Sequence, residues 1–371
     1  MSKNQVGNPV IGRRKLLTGT AAGAMSVAVA APAIAQSQPK IRWRMPSSFG
    51  KNITPYVGAE MFCKLVSEMT DKNFEISYYA PGEIVPALQV ADAVSNGTVE
   101  MGHTASFYYA GKNPIYAMAS GIVFGMNVRG HAAWLVKGGG NEMMNEFYKS
   151  NNIHALFAGN TGAQSAGWFR KEIKSIADFR GLRMRIAGLA GQVFLEAGGV
   201  PQQIAIGDVY ASLERGSIDG TKFTSPIDDE RLGFHKVAPF YYWPGWNDGG
   251  VAVHKFINLA KWNELPKSYQ AILQAAAAYA GEQMQTTYDA GNRLAVKRVV
   301  AQGAQIRFLP NDVIDALGDA AKRVYGKVSK ENPEFAKIYG NYTSFMQDEY
   351  VWWRVSELPF DTMMVRQLNR S

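Results

Sequence analysis

Two arginines two residues apart, Arg183 and Arg185, are the side chains of this chain best suited to chemistry on an anion. They lie in the stretch SIADFRGLRMRIAGLAG, residues 175 to 191. Leu182, Met184 and Ile186 alternate with them, the period-two pattern of a strand, which sends the apolar side chains to one face and both arginines to the other. A guanidinium at the carboxyl end of a strand, just ahead of a helix start, forks onto a carboxylate while free backbone N–H groups add positive potential. Arg185 is therefore the first candidate for a ligand-binding residue. This segment alone leaves open the other placement, with both arginines on a solvated strand face.

The flanking residues must hold that strand in place. Ser175 with Asp178 three residues on predicts a capped helical turn ending at Gly181, where a residue without Cβ takes positive φ. Gly188 stops the strand, and Gly188 and Gly191 allow close approach at the start of the helix GQVFLEAGG. Upstream, IRWRM after Lys40 reads as a strand, and Thr54 to Thr70 as an amphipathic helix with Val57, Met61, Leu65 and Val66 on its apolar side. FEISYY from Phe74 is a second strand, and PALQVADAVSNG is a helix stopping at Asn96-Gly97. Strand and helix alternate, so an α/β fold with largely parallel strands is expected.

The chain repeats itself once. Gly97-Thr98-Val99-Glu100 matches Gly216-Ser217-Ile218-Asp219 position for position, each after a helical segment, and the pairing implies two similar α/β lobes facing a shared cleft. From Pro266 a helical pattern runs to about Val300, interrupted weakly by Gly281 and Gly291. At about 1.5 Å per residue it spans roughly 50 Å, enough to cross both lobes. QIRFLP is a late strand and Asp312 to Ser329 a further helix. The tail from Phe335 carries Tyr339, Tyr342, Phe345, Tyr350, Trp352 and Trp353, and is expected to pack on its own domain or on a second subunit.

The chain has 371 residues and a formal net charge of +8, part of which belongs to its start. RRKLL from Arg13, the small apolar run TGTAAGAMSVAVAAPAIA and the Ala33-Ile34-Ala35 site predict a signal peptide over residues 1 to 35, with a paired arginine of the twin-arginine kind. Without that leader 35 basic and 31 acidic side chains remain, and no basic block with interleaved aromatics points to nucleic acid. The single cysteine, Cys63, cannot form an internal disulfide and reads as packing. His103, His131, His154, His235 and His254 have no metal-ligand spacing, and no G-x-S-x-G elbow, Walker loop or dinucleotide fingerprint occurs. Gly138-Gly139-Gly140 reads as a loop, and Asp228-Asp229-Glu230 as a solvated charge run.

Five runs together carry a family resemblance: AGNTGAQSAGWF (158 to 169), FRGLRMRIAGLAG (179 to 191), GDVYASLERGSIDG (207 to 220), DDERLGFHKVAPFYYWPGW (228 to 246) and the long helix after Leu265. In order, and over nearly all of the chain after the leader, they resemble the extracytoplasmic solute-binding proteins, DctP-type, of tripartite ATP-independent periplasmic (TRAP) transporters. The likeness is greatest to the branch binding 2-oxo acids and related monocarboxylates. The resemblance implies a two-lobed periplasmic-binding-protein-like fold that closes on an organic anion in the periplasm. The anion then passes to a small and a large membrane subunit driven by an ion gradient. It implies that Arg185 holds the ligand carboxylate, that Gln164 sits in the ligand and metal site, and that in some members an extra C-terminal helix forms a homodimer; Asn160, in the same run as Gln164, is a further candidate for binding the ligand. It also implies no catalysis.

One position departs from the pattern. Where the branch carries Glu and Trp after the ID-T motif, this chain has Lys222 and Phe223. Hard cations need oxygen donors, so the expectation is a site without a metal in which Lys222 does the cation's electrostatic work beside Arg185, on one carboxylate or on the two of a diacid. Gln164 is the residue left to meet a sodium or calcium ion were one retained. Lys222 pointing to solvent is the alternative. Phe107, Tyr108, Phe223 and Trp246 are expected to cover an apolar part of the ligand, which is a 2-oxo or 2-hydroxy monocarboxylate or, alternatively, a dicarboxylate or aromatic acid. A remoter alternative is an exported enzyme with Lys222 as amine nucleophile. Expected boundaries are one lobe of residues 36–160 plus about 249–290, a second of 161–248 plus about 291–340, and a helical tail of 341–371.

Overall fold

Strands β1 (Ile41–Pro46) and β2 (Phe74–Tyr79) pair in parallel around helix α1 (Pro55–Met69), the first βαβ unit of a computed structural model that describes residues 39 to 370. The signal peptide expected over residues 1 to 35 lies outside them. The chain continues through α2 (Val90–Ser95), β3 (Met101–Thr104), α3 (Ile115–Ser120), α4 (Val128–Lys137), α5 (Gly140–Lys149) and β4 (Ile153–Asn160). There follow β5 (Gly167–Phe169), β6 (Arg183–Arg185), α6 (Leu189–Glu196), β7 (Val200–Gln202), α7 (Val209–Glu214), β8 (Gly220–Thr221), α8 (Pro226–Arg231) and β9 (Phe240–Trp243). The last part is β10 (Ala252–Asn258), α9 (Leu259–Glu264), α10 (Lys267–Ala301), β11 (Gln305–Phe308), α11 (Asn311–Glu331), α12 (Pro333–Trp353) and α13 (Glu357–Leu368).

Two sheets form the facing halves of this mixed α/β, two-lobed fold: β3-β10-β4 on one side, with β1-β2 beside it, and β11-β9-β5-β8-β6-β7 on the other. The expectation of largely parallel strands is corrected. β10 runs antiparallel between β3 and β4, and β5 antiparallel between β8 and β9, while β6 is parallel to β7 and β8, and β11 to β9. The reason is connectivity: the chain crosses from β4 to β5 and returns from β9 to β10, and each returning strand enters its sheet in the opposite sense.

α10 is one unbroken helix of 35 residues that packs on α1 and β4 of one half and on α8 of the other, as the length estimate predicts. Gly281 does not weaken it. A Cβ there would lie 2.6 Å from the backbone nitrogen of Gly159, so the helix crosses β4 at a glycine-to-glycine contact. In α1 the buried stripe is Gly58, Ala59, Phe62 and Val66, turned from the expected one: Val57, Met61 and Leu65 are only half-buried. Hydrophobicity ranks Met and Leu above Gly and Ala, but close packing against α10 selects the small residues.

The short internal repeat has a structural counterpart. Arg44 donates from its backbone nitrogen, Nε and Nη2 to the Glu100 carboxylate at 2.8, 3.1 and 2.6 Å, and Arg183 does the same to Asp219 at 3.0, 3.0 and 2.8 Å. Each arginine also reaches a carbonyl of the repeat, Thr98 or Gly216, at 2.8 Å. Of the two arginines, then, Arg183 serves as an ion-paired strand brace. The aromatic tail divides: α12 buries Phe335, Ile338 and Tyr342 against the first half, with the Tyr342 hydroxyl accepting from Met126 N at 2.7 Å, whereas α13 buries no residue. Among the described residues no helix is long and apolar enough to cross a membrane.

Candidate functional site

Arg185 ends β6 and is 2% exposed, because β6 is flanked by β7 and β8 and its carboxyl end faces the other half. Its Nε donates to the Ile204 carbonyl at 3.0 Å and its Nη1 to the Lys222 carbonyl at 2.9 Å, while Nη2 is buried without a partner. The rings of Tyr108 and Phe223 stand 6.0 and 5.9 Å from the guanidinium carbon. The turn before β6 is built as expected: Ser175 and Asp178 form a reciprocal capping box and Gly181 has φ of 72°. Gly188, with φ of 68°, starts α6.

Arg185 lines a cleft walled by both halves, with Phe49, Phe107, Tyr108 and Val251 on one side and Leu189, Lys222 and Phe223 on the other. The halves meet at its mouth. Gln203 Nε2 donates to the Tyr108 carbonyl at 2.8 Å, and a Cβ on Gly188 would lie 3.2 Å from that of Phe107.

Lys222 is 5% exposed and faces the cleft, its Nζ paired with Asp248 Oδ2. Burial pushes the ammonium below its ordinary value and the Asp248 carboxylate opposes that. Gln164 also lines the cleft: its Nε2 donates to Thr161 Oγ1, and its Oε1 is buried without a partner. The structure thus brings together Arg185, Gln164, Lys222, Phe223, Phe107 and Tyr108. It leaves two nominated residues outside the lining. Asn160, 1% exposed, accepts from Gly162 N at 3.0 Å, and Trp246, 4% exposed, packs in the core with its carbonyl accepting from Phe124 N at 2.9 Å.

Sequence reasoning missed Asn247 and Asp248, which line the cleft in the β9–β10 connection. Asn247 Oδ1 and Asp248 Oδ1 are buried without partners, as is Gln164 Oε1. The signal available was slight: the motif run ends at Trp246 and these two polar residues directly follow it. None of the five histidines lines the cleft. His103, His131 and His254 are buried, and burial holds all three below the usual histidine range, His131 at about 4 and His254 at about 3. Cys63 is half-buried on α1, its thiol pushed up to about 11 by burial.

The model of the bacterial extracellular solute-binding proteins, family 7, matches residues 47–332. The chain belongs to this family of TRAP transporter solute-binding proteins. It is 41% identical, over 87% of its length and 89% of the relative's, to a monocarboxylate 2-oxoacid-binding periplasmic protein of Nostoc. A TRAP solute-binding protein of Bordetella bronchiseptica, a dimer with copurified calcium and picolinate in one active site, superposes with a TM-score of 0.88 at 44% identity, over 90% of this chain and 99% of that one. One of Pseudoalteromonas atlantica with bound sodium and pyruvate has a TM-score of 0.84 at 32% identity, over 86% and 98%.

These family members overturn the expectation of a site without a metal: both solved structures carry a cation beside the acid. The physical reason lies in Asp248. Lys222 removes an anionic oxygen at its own position, but Asp248 brings a carboxylate to the same cleft from another connection, and its free Oδ1, with Gln164 Oε1 and Asn247 Oδ1, gives hard-cation donor chemistry.

Proposed function

We propose that the cleft captures a small 2-oxo or 2-hydroxy monocarboxylate in the periplasm and that this chain delivers it to the small and large membrane subunits of a TRAP transporter. One observation carries the reading: Arg185 keeps Nη2 buried and unpartnered in a residue of the cleft wall, although leaving a buried donor unmade costs about 1 to 3 kcal/mol. A ligand carboxylate would satisfy it with a charge-assisted bond. Two fixed backbone partners hold the guanidinium, so little side-chain entropy is lost on binding.

The pyruvate, picolinate and 2-oxoacids named for the relatives support a small planar acid. Phe107, Tyr108 and Phe223 suit its apolar part. Gln164, Asn247 and Asp248 are the residues that would hold a cation, which would supply positive charge for an acid in the cleft. A diacid reading is not favoured, since the Lys222 charge is already met by Asp248. Binding rather than catalysis is the family's role, and Lys222 is read as a cleft-wall cation.

Residues 1 to 35 are read as a twin-arginine leader that sets the periplasmic address. A second copy of this chain is the partner proposed for α13, which exposes Leu358, Phe360, Met363 and Val365. The ligand reading is tested by calorimetric titration of the leaderless protein with pyruvate and with picolinate in calcium. One-to-one binding that Arg185→Ala abolishes is expected; equal binding in the variant would remove Arg185 from the site.

A further inference from the structure

The charge run Asp228-Asp229 was expected on a solvated face, and the structure contradicts this: both side chains are 0% exposed. Their partners, distant in sequence, explain why. Asp229 is fastened within its own half, accepting from Trp168 Nε1 at 2.9 Å on β5 and from the Tyr241 hydroxyl at 2.8 Å on β9. Asp228 reaches out of that half. Its Oδ1 accepts from the backbone nitrogen of Thr54 at 2.8 Å and from Thr54 Oγ1 at 2.7 Å, at the amino end of α1. Its Oδ2 accepts from the Tyr288 hydroxyl at 2.6 Å, on the long helix that serves both halves.

The amino end of α1 has a vacancy that this carboxylate fills. Thr54 has helical backbone angles, φ −60° and ψ −31°, makes no capping bond with its own side chain, and is followed by Pro55, which has no N–H. An anion there meets the positive end of a helix of 15 residues. Arg231 on α8 adds a second tie, with Nη1 donating to Thr54 Oγ1 at 3.3 Å. Thr54 thus exchanges contacts with α8 of the opposite half through its nitrogen and its hydroxyl.

We infer that Asp228 is a clasp between the halves: a positioning residue that reaches from α8 to the amino end of α1 and sets how long the cleft stays shut on its ligand. The clasp rests on the reading of the cleft as a carboxylate site, but no part of it needs to touch the acid. Asp228 stands one layer behind the cleft wall, where Thr224 and Pro55 both line the cavity and Thr224 Oγ1 donates to Asp228 Oδ2 at 3.4 Å. Drawing the halves apart removes the two Thr54 bonds and leaves the buried carboxylate with Tyr288, Thr224 and the Arg231 guanidinium, 3.5 Å away on its own helix, so the clasp favours the shut form before any ligand arrives. Ligand contacts made only in the shut form then add to that bias.

The test compares wild type with Thr54→Val, Thr54→Ser and Asp228→Asn by stopped-flow tryptophan fluorescence with pyruvate in calcium, and by small-angle scattering without ligand. Thr54→Val and Asp228→Asn are expected to release pyruvate roughly tenfold faster or more, as loss of a hydrogen bond to a charged group implies, with a larger ligand-free radius of gyration. Thr54→Ser keeps the hydroxyl and is expected to restore both. A residue that only supports the fold would lower the melting temperature without changing release or radius, and that result would overturn the clasp. If wild type binds no acid, the carboxylate reading fails by itself. The scattering arm still decides the clasp, with equal radii in wild type and Thr54→Val counting against it.

Discussion

Arg185 and Lys222 hold each other by two hydrogen bonds, one from a side chain and one between backbones: Arg185 Nη1 donates to the Lys222 carbonyl at 2.9 Å, and Lys222 N donates to the Arg185 carbonyl at 3.0 Å. The two cations therefore enter the cleft at a fixed spacing set by the pairing of β6 with β8. Changing the Lys222 side chain leaves the guanidinium's backbone acceptor in place. Changing Arg185 removes the free donor itself.

Arg185→Lys should weaken acid binding by about 1.5 to 3 kcal/mol, because an ammonium cannot hold both backbone carbonyls and still fork onto a carboxylate. Calorimetry with pyruvate measures this, and an affinity equal to wild type would contradict it.

Asp248→Asn should abolish the calcium-dependent part of the ligand-induced rise in melting temperature, since it removes the carboxylate of the proposed donor set and strands the Lys222 ammonium. A chelator should lower the wild-type melting temperature with ligand and leave the variant unchanged. Equal chelator sensitivity in both would exclude Asp248 from the cation site.

Lys255 lies 1% exposed on β10, its ammonium 5.2 Å from the centre of the Phe62 ring, and burial pushes its pKa down to about 7. The unfolded chain binds this proton up to about pH 10.4, so the stability of the neutral amine is full above that value and is lost as pH falls toward 7. Lys255→Met, which keeps the apolar stem, should gain roughly 2 to 4 kcal/mol at pH 7 and much less at pH 10. Urea denaturation at the two pH values reads the difference; an equal gain at both would show that charge burial is not its source.

How much of this was legible turns on whether the cause lies near in sequence. The capping box at Ser175, the strand ending in Arg185, the stop at Gly188 and the long helix all follow from residues within a turn or two of each other. The match of Glu100 with Asp219 was visible because each acid sits at the same offset in its repeat, and both prove to brace an arginine on a neighbouring strand. Asp228 was misread because its partners Thr54 and Tyr288 lie 174 and 60 residues away. Asp248 carries no motif, and its role depends on Lys222, brought to it by the return of the chain from β9 to β10.

Removal of residues 356 to 371 should yield a monomer if a second copy covers α13, whose side chains include Phe360 at 55% and Val365 at 59% exposure. Sedimentation at micromolar concentration checks this. A monomer in the full-length protein would contradict the dimer.

Treatment with borohydride in the presence of pyruvate should add no mass to the protein, because the proposed role of Lys222 is an ion pair in a binding site rather than an imine. Intact-mass measurement reads the outcome, and a gain at Lys222 would restore the enzyme reading.

The most direct test of the carboxylate site is calorimetric titration of the leaderless wild-type protein and Arg185→Ala with pyruvate in calcium. The account predicts saturable one-to-one binding by wild type and none by the variant at the same concentrations. Binding of equal strength in both, or no binding of pyruvate, picolinate or any other small acid by wild type, would contradict it.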